Sequence, residues 1–260
     1  MSVRVFAFTC GVLRAPLAMF IEGGEGEVAV PVPGFLVDHP AGKLLFDTGM
    51  HPEARSDPKG RLGPIAEIFR PEMTAEDDVG RRLESLGVDP REIPLVALSH
   101  LHFDHAGGSA LLPEATLLVQ RREWEAGRDA DLAAQNGYDA KDYDLGHRLR
   151  LVDGEHDVFG DGSVVCLPTH GHTPGHQSLR VRTDGGEVVL TADACYLRRN
   201  LVEDRLPPIA FDREAAVASL RRLRQLAESG AQLVYGHDPE EWASVPQAPQ
   251  PIIGSHSPPE

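Results

Sequence analysis

The residues best suited to do chemistry in this sequence form one short segment, His100 to His105, which reads HLHFDH. In an extended chain alternate side chains point to the same side, so His100 and His102 can bind one metal ion together. A turn at Phe103 and Asp104 would direct Asp104 and His105 towards a second position. Imidazole and carboxylate groups are zinc ligands at about 2.0–2.2 Å, and the segment has no cysteine of the kind zinc fingers use. The segment therefore predicts a metal site that is not a structural zinc finger.

Further residues able to bind a metal follow apolar runs elsewhere in the chain. His172 follows the run at 164–167, Asp193 follows Val188–Leu190, and His237 follows Leu233–Tyr235. Each residue alone would be an ordinary loop side chain. Because loops at strand ends present side chains from a rigid scaffold, we expect these three residues to join the HLHFDH segment. Together they supply enough ligands for a closed dinuclear site.

The elements that must position these side chains are predicted to be strands followed by helices, twice along the chain. The predicted strands cover residues 3–8, 34–37, 43–46, 94–99, 115–119, 149–152, 163–168, 177–182, 187–190 and 232–235. Helices are predicted from Thr74, Arg121 and Asp212, and a polar loop at 128–147. This α/β order predicts two packed sheets with helices outside them.

Residues 1–245 are predicted to form a single domain, and the proline-rich residues 246–260 a disordered tail.

Composition excludes several classes of protein. The formal net charge of −15 disfavours a nucleic-acid partner, because phosphate binding requires a basic face. Cys10, Cys166 and Cys195 have unrelated spacings, so neither a disulfide framework nor a cysteine zinc site is expected. Arg4 and Arg14 interrupt the N-terminal apolar runs, and no stretch approaches the ~18 apolar residues of a membrane helix. We therefore expect a cytoplasmic protein with no membrane partner, either a monomer or a homodimer.

In order and spacing, the HLHFDH segment with His172, Asp193 and His237 resembles the metallo-β-lactamase superfamily over residues 3–242. The Asp47-Thr48-Gly49 turn is also typical of that superfamily. The resemblance implies a four-layer αβ/βα sandwich with the metals at one edge. Within the superfamily, four motifs resemble those of the N-acyl-homoserine lactone lactonases. They are SHLHFDHAG from residue 99, TPGHQS from 173, DACY from 193 and GHD from 236.

The lactonase resemblance also implies a role for each site residue. The first of two zinc ions, or of two other divalent transition metals, would be bound by His100, His102 and His172, the second by Asp104, His105 and His237, and both by Asp193. A hydroxide bridging the ions would attack the lactone carbonyl. Tyr196 would stabilise the developing oxyanion, and Asp104 would carry a proton to the departing alkoxide. His176 is interpreted as a structural neighbour of the site and not as a ligand.

The expected activity is zinc-dependent hydrolysis of a lactone, with N-acyl-homoserine lactones as the leading substrate class and quorum quenching as the consequence. Two alternatives keep the same site: hydrolysis of another small lactone such as 4-pyridoxolactone, and glyoxalase II-like thioester hydrolysis. A non-enzymatic alternative is a metal-stabilised protein that binds a lactone. Candidates for lining an acyl-chain channel, with simple packing as the other interpretation, are Met19, Phe20, Ile68, Phe69 and Phe103.

Overall fold

The computed structural model describes residues 2–254. In chain order its strands are β1 (Arg4–Pro16), β2 (Glu27–His39), β3 (Gly42–Phe46), β4 (Arg70–Glu72), β5 (Leu95–Ala97), β6 (Thr116–Gln120), β7 (Arg148–Val152), β8 (His156–Asp157), β9 (Val164–Pro168), β10 (Gln177–Thr183), β11 (Gly186–Ala192), β12 (Gln232–Tyr235) and β13 (Pro251–Ile252). The α-helices are α1 (Glu53–Ser56), α2 (Pro58–Leu62), α3 (Val79–Ser85), α4 (Phe103–Ala106), α5 (Arg121–Arg128), α6 (Ala130–Asn136), α7 (Arg198–Val202), α8 (Arg213–Glu228) and α9 (Pro239–Trp242). Short 3-10 helices lie at Leu17–Met19, Gly63–Glu67, Ala75–Asp77, Pro90–Glu92, Gly107–Leu111 and Ala140–Asp142. None of the helices in this part of the chain is long and apolar enough to cross a membrane.

The strands form two sheets. The first has the order β13-β1-β2-β3-β5-β6-β7, with β4 paired to β1, and the second has the order β12-β11-β10-β9-β8. From β3 to β7 the neighbouring strands of the first sheet run parallel, as do β11 and β12 in the second. Their carboxyl ends therefore lie along the same edge of each sheet, where following loops can meet.

Alternation of apolar side chains along the strands builds the layers. Leu44 and Phe46 of β3 lie in the core between the two sheets, whereas Leu45 points outward into the core that includes Leu83 of α3. On the other side, Leu223 of α8 packs against the outer face of the second sheet. Successive strand residues point to opposite faces, so each sheet can bury both of its faces. The order helix, sheet, sheet, helix confirms the predicted four-layer αβ/βα sandwich.

The region 128–147, predicted as a polar loop, contains α6. The Asp129 side chain accepts hydrogen bonds from the backbone N–H groups of Asp131 and Leu132, both at 3.0 Å, and so caps the helix. Gly137 ends it with a φ of 70°, a left-handed conformation that glycine adopts without strain. The start and stop signals were therefore in the sequence, although the helix between them has no continuous apolar stripe.

The predicted disorder from residue 246 does not hold for the first part of that stretch. The Ala248 N–H donates to the Ala7 carbonyl at 2.8 Å, and β13 pairs with β1, with Ile252 opposite Val5. Ile252 is buried in the core between the sheets. β13 therefore pairs with the edge of β1, where backbone N–H and carbonyl groups would otherwise have no strand partner. Residues 255–260 of the predicted tail lie outside the described residues.

Candidate metal centre

The residues predicted to bind metal all follow strand ends, and the structure brings them together. His100 and His102 follow β5, Asp104 and His105 lie in α4, His172 follows β9, Asp193 follows β11, and His237 follows β12. They form two groups, in each of which the possible ligand atoms lie within 4.8 Å of one another. The groups are His100, His102, His172 and Asp193, and Asp104, His105 and His237.

Asp193 lies between the two groups and faces both. Its Oδ2 atom lies 3.3 Å from His172 Nε2 and 3.5 Å from His100 Nε2, in the first group. Its Oδ1 atom lies 3.1 Å from His105 Nε2 and 3.2 Å from His237 Nε2, in the second. One carboxylate thus presents one oxygen to each group, the geometry that a shared ligand of two metal ions requires.

The backbone around Asp193 is shaped for this position. Ala192, the last residue of β11, has a φ of 45°, which is uncommon for a residue other than glycine and is typical of functional sites. Gly236 precedes His237, and a Cβ atom at position 236 would lie 2.5 Å from the Ala192 carbonyl oxygen. Only glycine therefore lets the end of β12 approach the end of β11 closely enough to bring His237 to Asp193.

Carbonyl groups fix the protonation of two of the imidazoles. His102 Nε2 lies 2.7 Å from the Asn136 carbonyl oxygen, and His237 Nδ1 lies 2.7 Å from the Pro31 carbonyl oxygen. A carbonyl can only accept, so these two nitrogens carry the hydrogen. In a neutral ring the nitrogen facing the centre is then unprotonated, which is the form that binds a metal.

A third imidazole is oriented by a carboxylate. His105 Nδ1 lies 2.8 Å from Oδ2 of Asp47, which follows β3 directly and is buried. Asp47 also accepts from the N–H of Ser99 at 2.7 Å and from its hydroxyl at 2.8 Å. The sequence singled out the turn at Asp47 but not this contact, because 58 residues separate Asp47 from His105.

The charges in the centre favour a cation. His105 Nε2 and Asp193 Oδ1 are buried with no hydrogen-bond partner among the described residues, although they face each other at 3.1 Å. Burial alone would lower the pKa of His105, but the carboxylates of Asp193, Asp104 and Asp47 outweigh it and hold that pKa well above its usual range. The pKa of His237 is raised as well, because Asp193 outweighs its burial. The potential that attracts a proton to these rings attracts a divalent cation in the same way.

In the first group the imidazoles are neutral. Burial, together with the neighbouring histidines, holds the pKa values of His100 and His172 well below the usual range, and burial also lowers that of His102. Neutral imidazoles and ionised carboxylates are the forms in which these residues bind metals. The donor set of nitrogen and oxygen atoms therefore fits a dinuclear centre of zinc or a similar ion.

Two further residues touch the ligand groups without belonging to them. His176 Nε2 accepts a hydrogen bond from the Asp193 N–H at 3.1 Å, and its Nδ1 lies 2.9 Å from the Thr169 hydroxyl. This position agrees with the interpretation of His176 as a structural neighbour. The Tyr196 hydroxyl lies 3.2 Å from His172 Nδ1. Burial, aided by Asp193 and Asp104, raises the pKa of Tyr196 well above its usual range, so the hydroxyl stays protonated.

A cavity of about 270 Å³ opens onto the centre. His102, Asp104, His172, Asp193 and Tyr196 form part of its floor. Its apolar walls are formed by Leu13, Met19, Phe20, Ile65, Phe69, Phe103 and Ile209. No lysine or arginine is among the described residues that line it.

The aromatic candidates occupy the cavity walls as a connected set. Phe20 packs edge-on against Tyr196, with ring centroids 5.5 Å apart, and against Phe69, with centroids 6.0 Å apart. Met19, Phe20, Phe69 and Phe103 therefore line the pocket as the sequence suggested. Ile68 is not among the residues that line the pocket, and it is 44% exposed.

A buried ion pair joins two segments that supply cavity walls. Arg61 of α2 donates to Asp142, and the two side chains are 5% and 3% exposed. Arg61 precedes the wall residues Ile65 and Phe69, and Asp142 follows the wall segment 134–137. Removing one partner of such a pair leaves an uncompensated buried charge, so the contact holds both segments in place.

Residues 29–237 match the family model of the metallo-beta-lactamase superfamily, and the chain belongs to that superfamily. Among curated relatives, N-acyl homoserine lactonase AttM of Azorhizobium caulinodans is 37% identical over 257 residues, covering 95% of this chain and 98% of that protein. N-acyl homoserine lactonase AiiA of Bacillus thuringiensis subsp. kurstaki is 36% identical over 228 residues, covering 86% of this chain and 87% of that protein.

Solved structures of similar proteins lead to the same family. An N-acyl homoserine lactone hydrolase with the product N-hexanoyl-L-homoserine at its catalytic metal centre matches with a TM-score of 0.87 at 29% identity, over 97% of this chain and 100% of that one. A variant of B. thuringiensis AiiA with N-decanoyl-L-homoserine in its active site matches with a TM-score of 0.87 at 29% identity, with the same coverage. The likeness extends over the whole sandwich and includes the edge that carries the site.

Proposed function

We propose that this protein is a dizinc hydrolase that opens the ring of N-acyl-homoserine lactones and so quenches a bacterial signal. The observation that carries the proposal is the pair of ligand groups that share Asp193 at the floor of an apolar cavity. Relatives that span nearly the whole chain are named for this activity, and a similar solved structure holds an acyl-homoserine product.

Each group of residues would hold one zinc ion, with Asp193 contributing to both. The first ion is assigned to His100, His102 and His172, and the second to Asp104, His105 and His237. When bound, the two ions supply a nucleophile at neutral pH by lowering the pKa of water, and they polarise the ester carbonyl. The carbonyl groups of Asn136 and Pro31 and the Asp47 carboxylate hold one ring nitrogen each of His102, His237 and His105, so that the other ring nitrogen faces the centre.

Two side chains at the cavity floor act on the substrate itself. The Tyr196 hydroxyl, protonated and buried, donates a hydrogen bond to the carbonyl oxygen as negative charge develops there. Asp104 lines the same floor, with its Oδ2 atom 3.5 Å from His237 Nε2. It takes the proton that the attacking water gives up and delivers it to the ring oxygen when the carbon–oxygen bond breaks, so that the product carries a free hydroxyl group and a carboxylate and not an alkoxide.

The cavity walls favour an acyl-homoserine lactone over the alternative substrates. An acyl tail buries apolar surface against Phe20, Phe69 and Met19, whereas the glutathione part of a thioester is charged and polar. A 4-pyridoxolactone has no tail to occupy these walls.

The test is metal analysis of the purified protein together with hydrolysis of butanoyl-, hexanoyl- and decanoyl-homoserine lactones. We expect about two metal ions per chain and measurable turnover that improves with tail length. 4-Pyridoxolactone and S-lactoylglutathione serve as comparison substrates. Turnover of either one without turnover of the homoserine lactones would overturn the proposed substrate class. Tight lactone binding without any turnover would support the non-enzymatic alternative instead.

A further inference from the structure

A fully buried carboxylate lies just outside the ligand groups. Glu123 belongs to α5 and has no exposed surface, although the neighbouring positions of the helix include exposed charged residues. By its position in the sequence it looks like an ordinary residue of a short amphipathic helix. In the structure it points into the protein, towards the segments that carry the first ligand group.

Four neutral donors saturate the two oxygens of Glu123. Its Oε1 atom accepts from the Leu101 N–H at 3.1 Å and from the Tyr138 hydroxyl at 2.6 Å. Its Oε2 atom accepts from the Thr173 hydroxyl at 2.9 Å and from the Gly175 N–H at 2.8 Å. An ionised carboxylate offers about four acceptor positions, so all of them are used.

These donors belong to segments that are far apart in the chain but carry ligands of one group. Leu101 stands between His100 and His102, and Thr173 follows His172 directly. One oxygen of Glu123 therefore holds the segment that carries His100 and His102, and the other oxygen holds the segment that carries His172. The loop also approaches the helix closely, since a Cβ atom at Gly175 would lie 2.3 Å from the Glu123 backbone nitrogen.

Tyr138 forms a third connection between Glu123 and the first ligand group. Its ring packs against His102 with centroids 5.4 Å apart, and its hydroxyl donates to Glu123. Two residues earlier, the Asn136 carbonyl oxygen lies 2.7 Å from His102 Nε2. The segment that fixes the protonation of His102 is thus held by the same carboxylate.

We propose that Glu123 is a positioning residue that sets the distance between the His100–His102 segment and His172, and thereby the metal affinity of the first ligand group. The proposal rests on the proposed function only in that the group binds a metal. Glu123 is neither a member of the ligand groups nor a residue of the cavity lining, so it acts through its four hydrogen-bond donors.

The substitution Glu123→Gln tests this with almost no change in volume. The amide has one accepting oxygen and one donating NH₂ group, so whichever way it is turned, one backbone N–H faces a donor. Either Leu101 or Gly175 then loses its partner, and one half of the first ligand group shifts. Contacts that orient metal ligands are typically worth about 10–100-fold in metal affinity. We expect a loss of this size at the first group and an unchanged affinity at the second.

The matched control is Glu125→Gln, two positions along the same helix, where the side chain is exposed. Zinc affinities are measured by competition with a chromophoric chelator, and the cobalt(II)-loaded proteins are compared by their visible absorption spectra. Thermal unfolding of the metal-free proteins reports on stability. A residue that only held the fold would lower this stability and leave the ratio of the two zinc affinities unchanged, a result that would overturn the inference.

If Glu123→Gln does not fold, Thr173→Val removes one donor to Oε2 with a side chain of similar shape. We then expect a several-fold weaker first site, an altered cobalt spectrum and an unchanged second site. Unchanged binding at both sites would contradict the inference. If the unsubstituted protein binds no divalent metal, the proposed function itself fails, and the two failures are thereby distinguished.

Discussion

Asp47→Asn is expected to weaken metal binding most at the second ligand group, which contains His105. Asp47 accepts three hydrogen bonds, two from Ser99 and one from His105, at 2.7–2.8 Å. Asparagine has nearly the same shape and tolerates the φ of 59° found at this position, so the backbone has no reason to move. The substitution therefore changes the hydrogen bonding and the charge but little else.

The size of the expected loss in metal affinity follows from the hydrogen bond between Asp47 and His105. If the asparagine oxygen keeps the Ser99 N–H, its NH₂ group faces His105 Nδ1, where two donors would meet. The ring then moves its hydrogen to Nε2, which removes the lone pair that faces Asp193. Losing such an outer contact costs about 10–100-fold in metal affinity, or roughly 1.4–2.7 kcal/mol. The lost charge-assisted hydrogen bond also lowers the free energy of unfolding by about 1.5–3 kcal/mol.

Chelator competition with zinc measures both sites, and urea unfolding of the metal-free protein measures the change in stability. Asp153→Asn is the matched control, since Asp153 forms an exposed ion pair with Arg121 at 3.0 Å, of a kind worth about 0–1 kcal/mol. A folded Asp47→Asn protein whose second site binds zinc as tightly as before would refute the reasoning.

Three other outcomes are expected. Dialysis against a strong chelator should abolish lactone hydrolysis, and added zinc or cobalt should restore it; activity that survives complete metal removal would exclude the proposed chemistry. Tyr196→Phe should lower kcat by about 10²–10³-fold, the usual effect of losing one oxyanion donor, and leave the metal content unchanged; an unaltered kcat would reduce Tyr196 to a packing residue. Phe69→Ala should raise KM for decanoyl-homoserine lactone by about 10-fold, or ~1.4 kcal/mol, and have little effect on the butanoyl substrate. Ile68→Ala, at a residue that does not line the cavity, should change neither KM; equal losses on both substrates for Phe69→Ala would show that Phe69 does not contact the tail.

The strand-end positions of the ligands could be predicted because residue type and periodicity both act locally. His237 and Asp193 each follow a short apolar run that had to be a buried strand, and a sheet brings such ends to one edge. The residues that begin and end α6, the capping Asp129 and the left-handed Gly137, are equally local signals. The helix was not predicted because the residues between them form no continuous apolar stripe.

The contacts that orient the ligands could not be predicted from the same signals. Asp47 reaches His105 across 58 residues, and Glu123 reaches Gly175 across 52, so only the folded topology brings these pairs together. Nothing in the amino-acid type of Glu123 distinguishes it from the exposed Glu125. Backbone acceptors such as the Pro31 carbonyl leave no trace in side-chain identity at all.

Most of the apolar cavity wall comes from parts of the chain that carry no metal ligand. Apolar contacts are supplied by Met19 and Phe20, by Ile65 and Phe69, and by Ile209, while ligands are supplied by turns at the edges of the sheets. Phe103 alone among the apolar wall residues lies inside a ligand segment, between His102 and Asp104. Ile65, Phe69 and Ile209 lie outside the ligand segments, so a substitution there can alter which tail fits and leave those segments unchanged. Chain-length preference can therefore diverge among descendants of this protein while the hydrolytic machinery is inherited intact, and directed evolution towards new acyl groups should begin at these three residues.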